Sequence, residues 1–206
     1  MTDVLLDICH NHLSNNLLEF DLDEYSTNQA MKKIENTLRE TCPHYQPLSQ
    51  SVSYLFDELI CNMQQHSQAN KGYLYAFYNK EEKRIEIVLA DYGISIYGSY
   101  AHTKKYLDLI GNSDAKALSL AKDGFSTKDL PETENRGYGI SSNTKMITDG
   151  LGGEIAIYSG NALLVQTPSD IKLLELPEQL DMKGTIIIAR IPTDIPHNYN
   201  FYEYIS

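Results

Sequence analysis

Basic residues are in short supply in this chain. Seventeen lysines and arginines stand against 28 aspartates and glutamates, a formal charge of −11 at pH 7. A nucleic-acid backbone demands a basic footprint, so direct binding to DNA or RNA is not expected. The same deficit leaves room for a small anionic ligand, because a few lysines, an arginine, a helix N-terminus or a metal ion reverse the field locally. Cysteine is scarce as well: Cys9, Cys42 and Cys61 are odd in number and form no close pair, which argues against a disulfide framework and a zinc knuckle and for buried thiols. No apolar run approaches the ~20 residues of a membrane span. The N-terminus, Met1-Thr2-Asp3-Val4, lacks the basic segment and apolar core of a secretory signal. A cytoplasmic protein without a membrane partner is the expectation. Finally, no Pro/Gly/Ser-rich linker and no internal repeat divides the 206 residues, so one domain over 1–206 is expected.

What the chain does have is a distinctive stretch, Tyr54-Leu55-Phe56-Asp57-Glu58-Leu59-Ile60-Cys61-Asn62-Met63-Gln64-Gln65-His66. At about 100° per residue, Glu58, Asn62 and His66 rise along one side of a helix, beside an apolar stripe of Val52, Leu55, Phe56, Leu59 and Met63. The three polar groups then sit at the rim of a buried face. They offer a base, a hard oxygen ligand for a cation such as Mg²⁺, and a hydrogen-bonding partner. The same spacing also describes the solvated flank of an ordinary amphipathic helix.

Around that helix, predicted to run from about Ser49 to His66, the rest falls into order. Residues 1–25 read either as helix or as strand, with His10 and His12 as surface or partly packed side chains. A helix capped by Ser26 or Thr27 runs through Met31, Ile34 and Leu38 until Pro43 stops it. Tyr73–Tyr78 and Arg84–Ala90 form a hairpin that ends at Asp91-Tyr92-Gly93-Ile94-Ser95. Residues 96–135 hold two short helical runs, about 101–110 and 114–122, and read as a long insertion. It is either a solvated excursion or a lid that closes over a ligand. Arg136-Gly137-Tyr138-Gly139-Ile140 opens a helix with Ile140, Met146 or Ile147 and Leu151 inward; two glycines there let the backbone approach an anion. Strands follow at 153–158, 162–165, 171–174 and 184–192, the last expected deep in the sheet. The tail from Thr193, with four aromatics, either packs locally or contacts a partner.

Taken in order, the Glu/Asn/His helix, the Asp-x-Gly after a hairpin, the lid-like insertion, the Gly-x-Gly before a helix and the Gly184-Thr185 strand resemble the ATP-binding domain shared by gyrase, a heat-shock chaperone, sensor histidine kinases and MutL, the GHKL ATPases. The resemblance covers about 50–192 and is closest to the anti-sigma-factor serine/threonine kinase branch. It implies a Bergerat-type fold: an α/β two-layer sandwich with helices on one face of a mixed, mostly antiparallel sheet. It implies that Glu58 is the general base, Asn62 the Mg²⁺ ligand and His66 the histidine that ends the motif in the anti-sigma branch. Asp91 would accept from the adenine amino group, Gly93 would lie beside the base, Gly137 and Gly139 would flank the phosphates, and Thr185 would touch the adenine edge. Two departures stand out. Ser95 replaces a glycine common in the family, and Arg136 directly precedes Gly137 where the arginine typically lies one residue earlier, which leaves its γ-phosphate contact open. Nothing like the phosphoacceptor hairpin of sensor kinases fits before the central helix, so self-phosphorylation of His10 is not expected.

The function implied is a Mg-dependent protein kinase that uses ATP on a hydroxyl of a small STAS-like antagonist, with a sigma factor or a second copy of the chain as further partners. An ATPase, or an ATP-gated interaction module with little or no phosphotransfer, is the alternative.

Overall fold

Seven strands and six α-helices account for most of the residues that the structure, a computed structural model, describes, namely 17–127 and 138–205. Strand β1 (Leu18–Asp21) leads into α1 (Glu24–Thr41). The cap of α1 is Asp23 and not Ser26 or Thr27: the Asp23 carboxylate accepts from the Ser26 backbone N–H at 2.9 Å, while the Thr27 hydroxyl turns back onto helix carbonyls. Thr27, Ala30, Ile34 and Leu38 form its buried edge. Helix α2 (Tyr45–Asn62) starts four residues before the expected Ser49. Pro47 falls within the first turn, where a missing N–H costs no helical bond, so proline does not delay the helix. Tyr45, Leu48, Val52, Leu55, Phe56, Leu59 and Ile60 are buried at helical spacing, and a single π turn, Met63–Ser67, extends the helix to a left-handed stop at Gln68.

The sheet has the order β1-β2-β3-β7-β4-β5-β6, with β2 at Lys71–Asn79, β3 at Arg84–Asp91, β4 at Glu154–Gly160, β5 at Ala162–Gln166, β6 at Ile171–Glu175 and β7 at Met182–Pro192. Every neighbouring pair is antiparallel, which corrects the expectation of a mixed sheet. The reason is β7. It inserts between β3 and β4, which run in the same direction, so the parallel relation exists without parallel pairing. One face of the sheet (Leu74 and Ala76, Ile85, Ile87 and Leu89, Ile187, Ala189 and Ile191, Ile155 and Ile157, Leu164) joins α1 and α2 in one continuous core. Each such leucine or isoleucine side chain taken from water is worth about 1.5–3 kcal/mol before chain entropy is counted. The arrangement is an α/β fold, consistent with a two-layer sandwich. None of the described helices is long and apolar enough to cross a membrane.

The described part of the 96–135 insertion carries a small core of its own beneath a largely exposed surface. It forms three helices, α3 (Ile96–Thr103), α4 (Leu107–Ile110) and α5 (Asp114–Lys122), around a small cluster of Tyr100, Ile110 and Ala117. Leu118 ties α5 into the main core. Ser95 is the cap of α3: its Oγ accepts from Gly98 N at 3.1 Å, a role that a glycine, with no side chain, could not fill. Helix α6 (Tyr138–Lys145) passes into a second π turn, Met146–Gly150, with Met146, Ile147 and Leu151 buried as expected. The C-terminal tail packs locally. Tyr199 and Tyr204 stack over Gly150, the Tyr199 hydroxyl lies 2.6 Å from Ser51 Oγ, and Phe201 meets the edge of Tyr54. Of the cysteines, Cys42 is buried and Cys61 half-buried, both as thiols; Cys9, His10 and His12 lie outside the described residues.

Candidate functional site

The last two turns of α2 present Glu58 and Asn62, both half-buried at the edge of the core stripe. Gly139, in the first turn of α6, comes directly against them. A β-carbon on Gly139 would lie 2.7 Å from Asn62 Nδ2 and 3.3 Å from both Asn62 Oδ1 and Glu58 Oε2. The absence of a side chain at Gly139 is what lets these two side chains lie so close, and residues about 80 apart in sequence share one spot. Helix α6 is held there by Ser142 Oγ, 3.2 Å from the Tyr54 hydroxyl of α2.

Asp91 ends β3, and its turn is fastened to the same end of α2. Ile94 N donates to Ser67 O at 2.6 Å, and a β-carbon on Gly93 would fall 1.9 Å from that carbonyl oxygen. The carboxylate itself accepts from Gly93 N at 2.9 Å and is only 4% exposed. Burial pushes its pKa up from 3.8 to about 6, and the Gly93 N–H holds back part of that rise. Asp91 is thus a desolvated acceptor on the edge of ionisation, in contact with the backbone amide that would be its partner in the charged form. Thr185 sits opposite Asp91 across the β3–β7 ladder, with its Oγ1 2.9 Å from Ser159 Oγ. Gly184 (φ +86°) is pressed onto Asp91, where a β-carbon would meet the Asp91 carbonyl oxygen at 2.1 Å and Oδ1 at 2.9 Å.

His66, in the π turn, reaches the insertion: its Nδ1 is 2.9 Å from Thr127 Oγ1, which is 3.1 Å from Ser99 Oγ of α3. The structure thus brings Glu58, Asn62 and Gly139 together, places Asp91, Gly93 and Thr185 together, and joins both groups through the Met63–Ser67 turn. Arg136 and Gly137 lie outside the described residues. Sequence reasoning missed the Ser67 carbonyl, Thr127, Ser159 and Asn143. The last is fully buried in α6, donates from Nδ2 to Gly139 O at 2.9 Å, and leaves Oδ1 without a partner among the described residues. Nothing in its polarity signals such burial.

As a donor set for a metal, the described residues offer no group of three His, Cys, Asp or Glu. The carboxylate of Glu58 and the amide oxygen of Asn62 could supply hard oxygen ligands to a cation that takes its remaining ligands from water and phosphate, which is how Mg²⁺ is commonly held. No protein-family model matches the chain, and comparison with curated proteins gives no match.

Proposed function

We propose that this chain is a Mg-dependent ATP-binding protein with a Bergerat-type site, acting as a serine/threonine protein kinase of the anti-sigma-factor kind on a small STAS-like partner. The observation that carries the proposal is the contact of Gly139 with Asn62 and Glu58, at the end of the helix to which the Asp91 turn is fastened. In this reading Asp91 accepts from the adenine amino group, with Gly93 alongside and Thr185 at the base edge. The triphosphate lies toward the amino end of α6, where the first backbone N–H groups of the helix and Gly139 receive it; the resemblance adds Arg136 and Gly137 to that contact.

Asn62 would hold Mg²⁺ by its amide oxygen, and the ion, when bound, neutralises phosphate charge beside the Glu58 carboxylate that would otherwise repel it. Glu58 orients the acceptor hydroxyl and takes its proton as the new bond from oxygen to the γ-phosphorus forms and the bond to the β–γ bridging oxygen breaks, leaving ADP. His66 links the site to the insertion through Thr127 and so couples occupancy to that segment. If the acceptor is water, the same residues make an ATPase. The packing of α3–α5 onto the sheet also supports the alternative, an ATP-gated interaction module, since nucleotide contacts at Asp91 and His66 would shift a surface already built into the core.

The test is direct. Purified protein, Mg²⁺ and γ-labelled ATP are mixed with cell extract, and labelled proteins are recovered. A labelled small partner supports the kinase; ADP alone supports the ATPase. Neither product, together with unimpaired ATP binding, supports the gated module and rejects the enzyme.

A further inference from the structure

The sheet ends at β6 with an open edge. β6 is the last strand in the order, and every residue from Ile171 to Glu175 is exposed. Thr167 N donates to Asp170 O and Leu176 N to Asn161 O, which fixes the groups that face β5. Hydrogen-bonded and non-bonded pairs alternate along an antiparallel ladder. Lys172 and Leu174 therefore turn their backbone groups toward β5, and Ile171, Leu173 and Glu175 turn theirs outward, where no described residue meets them. Ile171 (51% exposed), Leu173 (38%) and Leu174 (39%) add apolar surface on both sides of the strand. Natural edges are blunted by lysine, proline or a bulge. Here the β5–β6 register is unbroken, Pro168 and Pro177 lie outside the strand, and Lys172 is held by Asp170 at 3.3 Å.

Charge selects the occupant. Burial most of all raises the pKa of Asp114, against hydrogen bonds from Asn161 N–H and Ser95, and Asp181 and Glu175 add to the rise. Three carboxyl groups thus crowd the Glu175 end of the strand. A second copy of β6 does not relieve them. Across a two-fold axis an antiparallel strand pairs with one residue opposite its own copy. Centred on Leu173, that register sets Glu175 against Ile171 and Lys172 against Leu174; centred on Lys172 or Glu175, it sets like charge on like charge. No two-fold register within β6 brings Lys172 opposite Glu175. A foreign strand can place a cation there.

We infer that the β6 edge binds an extended basic segment of a partner protein by strand addition, with alternating aliphatic residues against Ile171 and Leu173 and a lysine or arginine opposite Glu175. This edge does not use the nucleotide contacts proposed above, so it stands or falls apart from them. The probe is the fluorescently labelled, end-blocked peptide Lys-Lys-Val-Ile-Thr-Val-Lys, laid antiparallel with its isoleucine opposite Leu173 and its second lysine opposite Glu175. Anisotropy titration with the 206-residue chain should give saturable binding at about 100 μM or tighter, unchanged by a saturating non-hydrolysable ATP analogue. Methylating the backbone nitrogen of the peptide isoleucine, which faces Leu173, should weaken binding about tenfold or more; methylating that of the threonine, which faces away, should change it less than about twofold. Glu175→Lys in the protein, and glutamates for the peptide lysines, should each weaken it about tenfold or more. Thermal melts report that the variant is folded. No binding, indifference to which nitrogen is methylated, or indifference to both charge changes overturns the inference. So does a dimer of the chain alone, seen by sedimentation, that Leu173→Lys dissolves, because the edge then belongs to a second copy.

Discussion

Asp91→Asn separates what the buried carboxylate costs the fold from what it does at the site. With 4% exposure, its pKa rises from 3.8 to about 6, which corresponds to about 3 kcal/mol of preference for the neutral form in the folded state. The sign follows from linkage. A carboxyl whose folded pKa lies above its unfolded value favours folding below about pH 4, and that advantage is lost as pH rises through about 6. At pH 7 the wild-type protein therefore carries the full cost of a desolvated charge. Asparagine has the same shape, keeps an oxygen to accept from Gly93 N, and carries no charge. Its amide still loses some hydration, so the expected gain is about 1–3 kcal/mol at pH 7, a rise in Tm of roughly 2–10 °C, vanishing near pH 4. Adenine recognition moves the other way. With the asparagine oxygen taken by Gly93, its NH2 faces the adenine amino group, donor against donor, and affinity for an ATP analogue should fall about a hundredfold or more. Urea denaturation at the two pH values and calorimetric titration of the analogue check both halves. A variant less stable than wild type at pH 7, a gain of equal size at pH 4, or undiminished nucleotide affinity would refute the reasoning.

Three further outcomes follow from the same geometry. Gly93→Ala drives a β-carbon onto the Ser67 backbone carbonyl oxygen at 1.9 Å, where no side-chain rotation gives relief, and should destabilise the protein by about 3 kcal/mol or more in urea denaturation. Gly139→Ala meets only the movable side-chain ends of Asn62 and Glu58, so stability should change by less than about 1 kcal/mol while the Mg²⁺-dependent part of nucleotide affinity falls. Glu58→Ala should leave ATP binding intact and reduce turnover and phosphotransfer at least a hundredfold, read from labelled ADP and labelled partner.

Much of this was legible in the residues, for reasons that are local. The stripe of Val52, Leu55, Phe56, Leu59 and Met63 is a one-dimensional pattern, and the structure buries it as written. Glu58 and Asn62 were visible because a helix preserves spacing. Long-range choices were not legible: nothing in Gly184–Pro192 says that it will lie between β3 and β4, which is what makes the sheet wholly antiparallel. Likewise Ser95 reads as a missing glycine until its hydroxyl is seen capping α3, and nothing in the polarity of Asn143 announces a fully buried side chain. The two π turns, which re-aim His66 and widen the helix after Lys145, leave no trace in a 3.6-residue period.

The central claim is that one ligand spans Asp91 and Asn62, and calorimetric titration of a non-hydrolysable ATP analogue, with and without Mg²⁺, tests it most directly. Wild-type protein should bind more tightly with the metal; Asn62→Ala should lose only that metal-dependent increment, and Asp91→Asn should lose binding in both conditions. No binding by the wild type, or a metal increment that survives Asn62→Ala, would contradict the account.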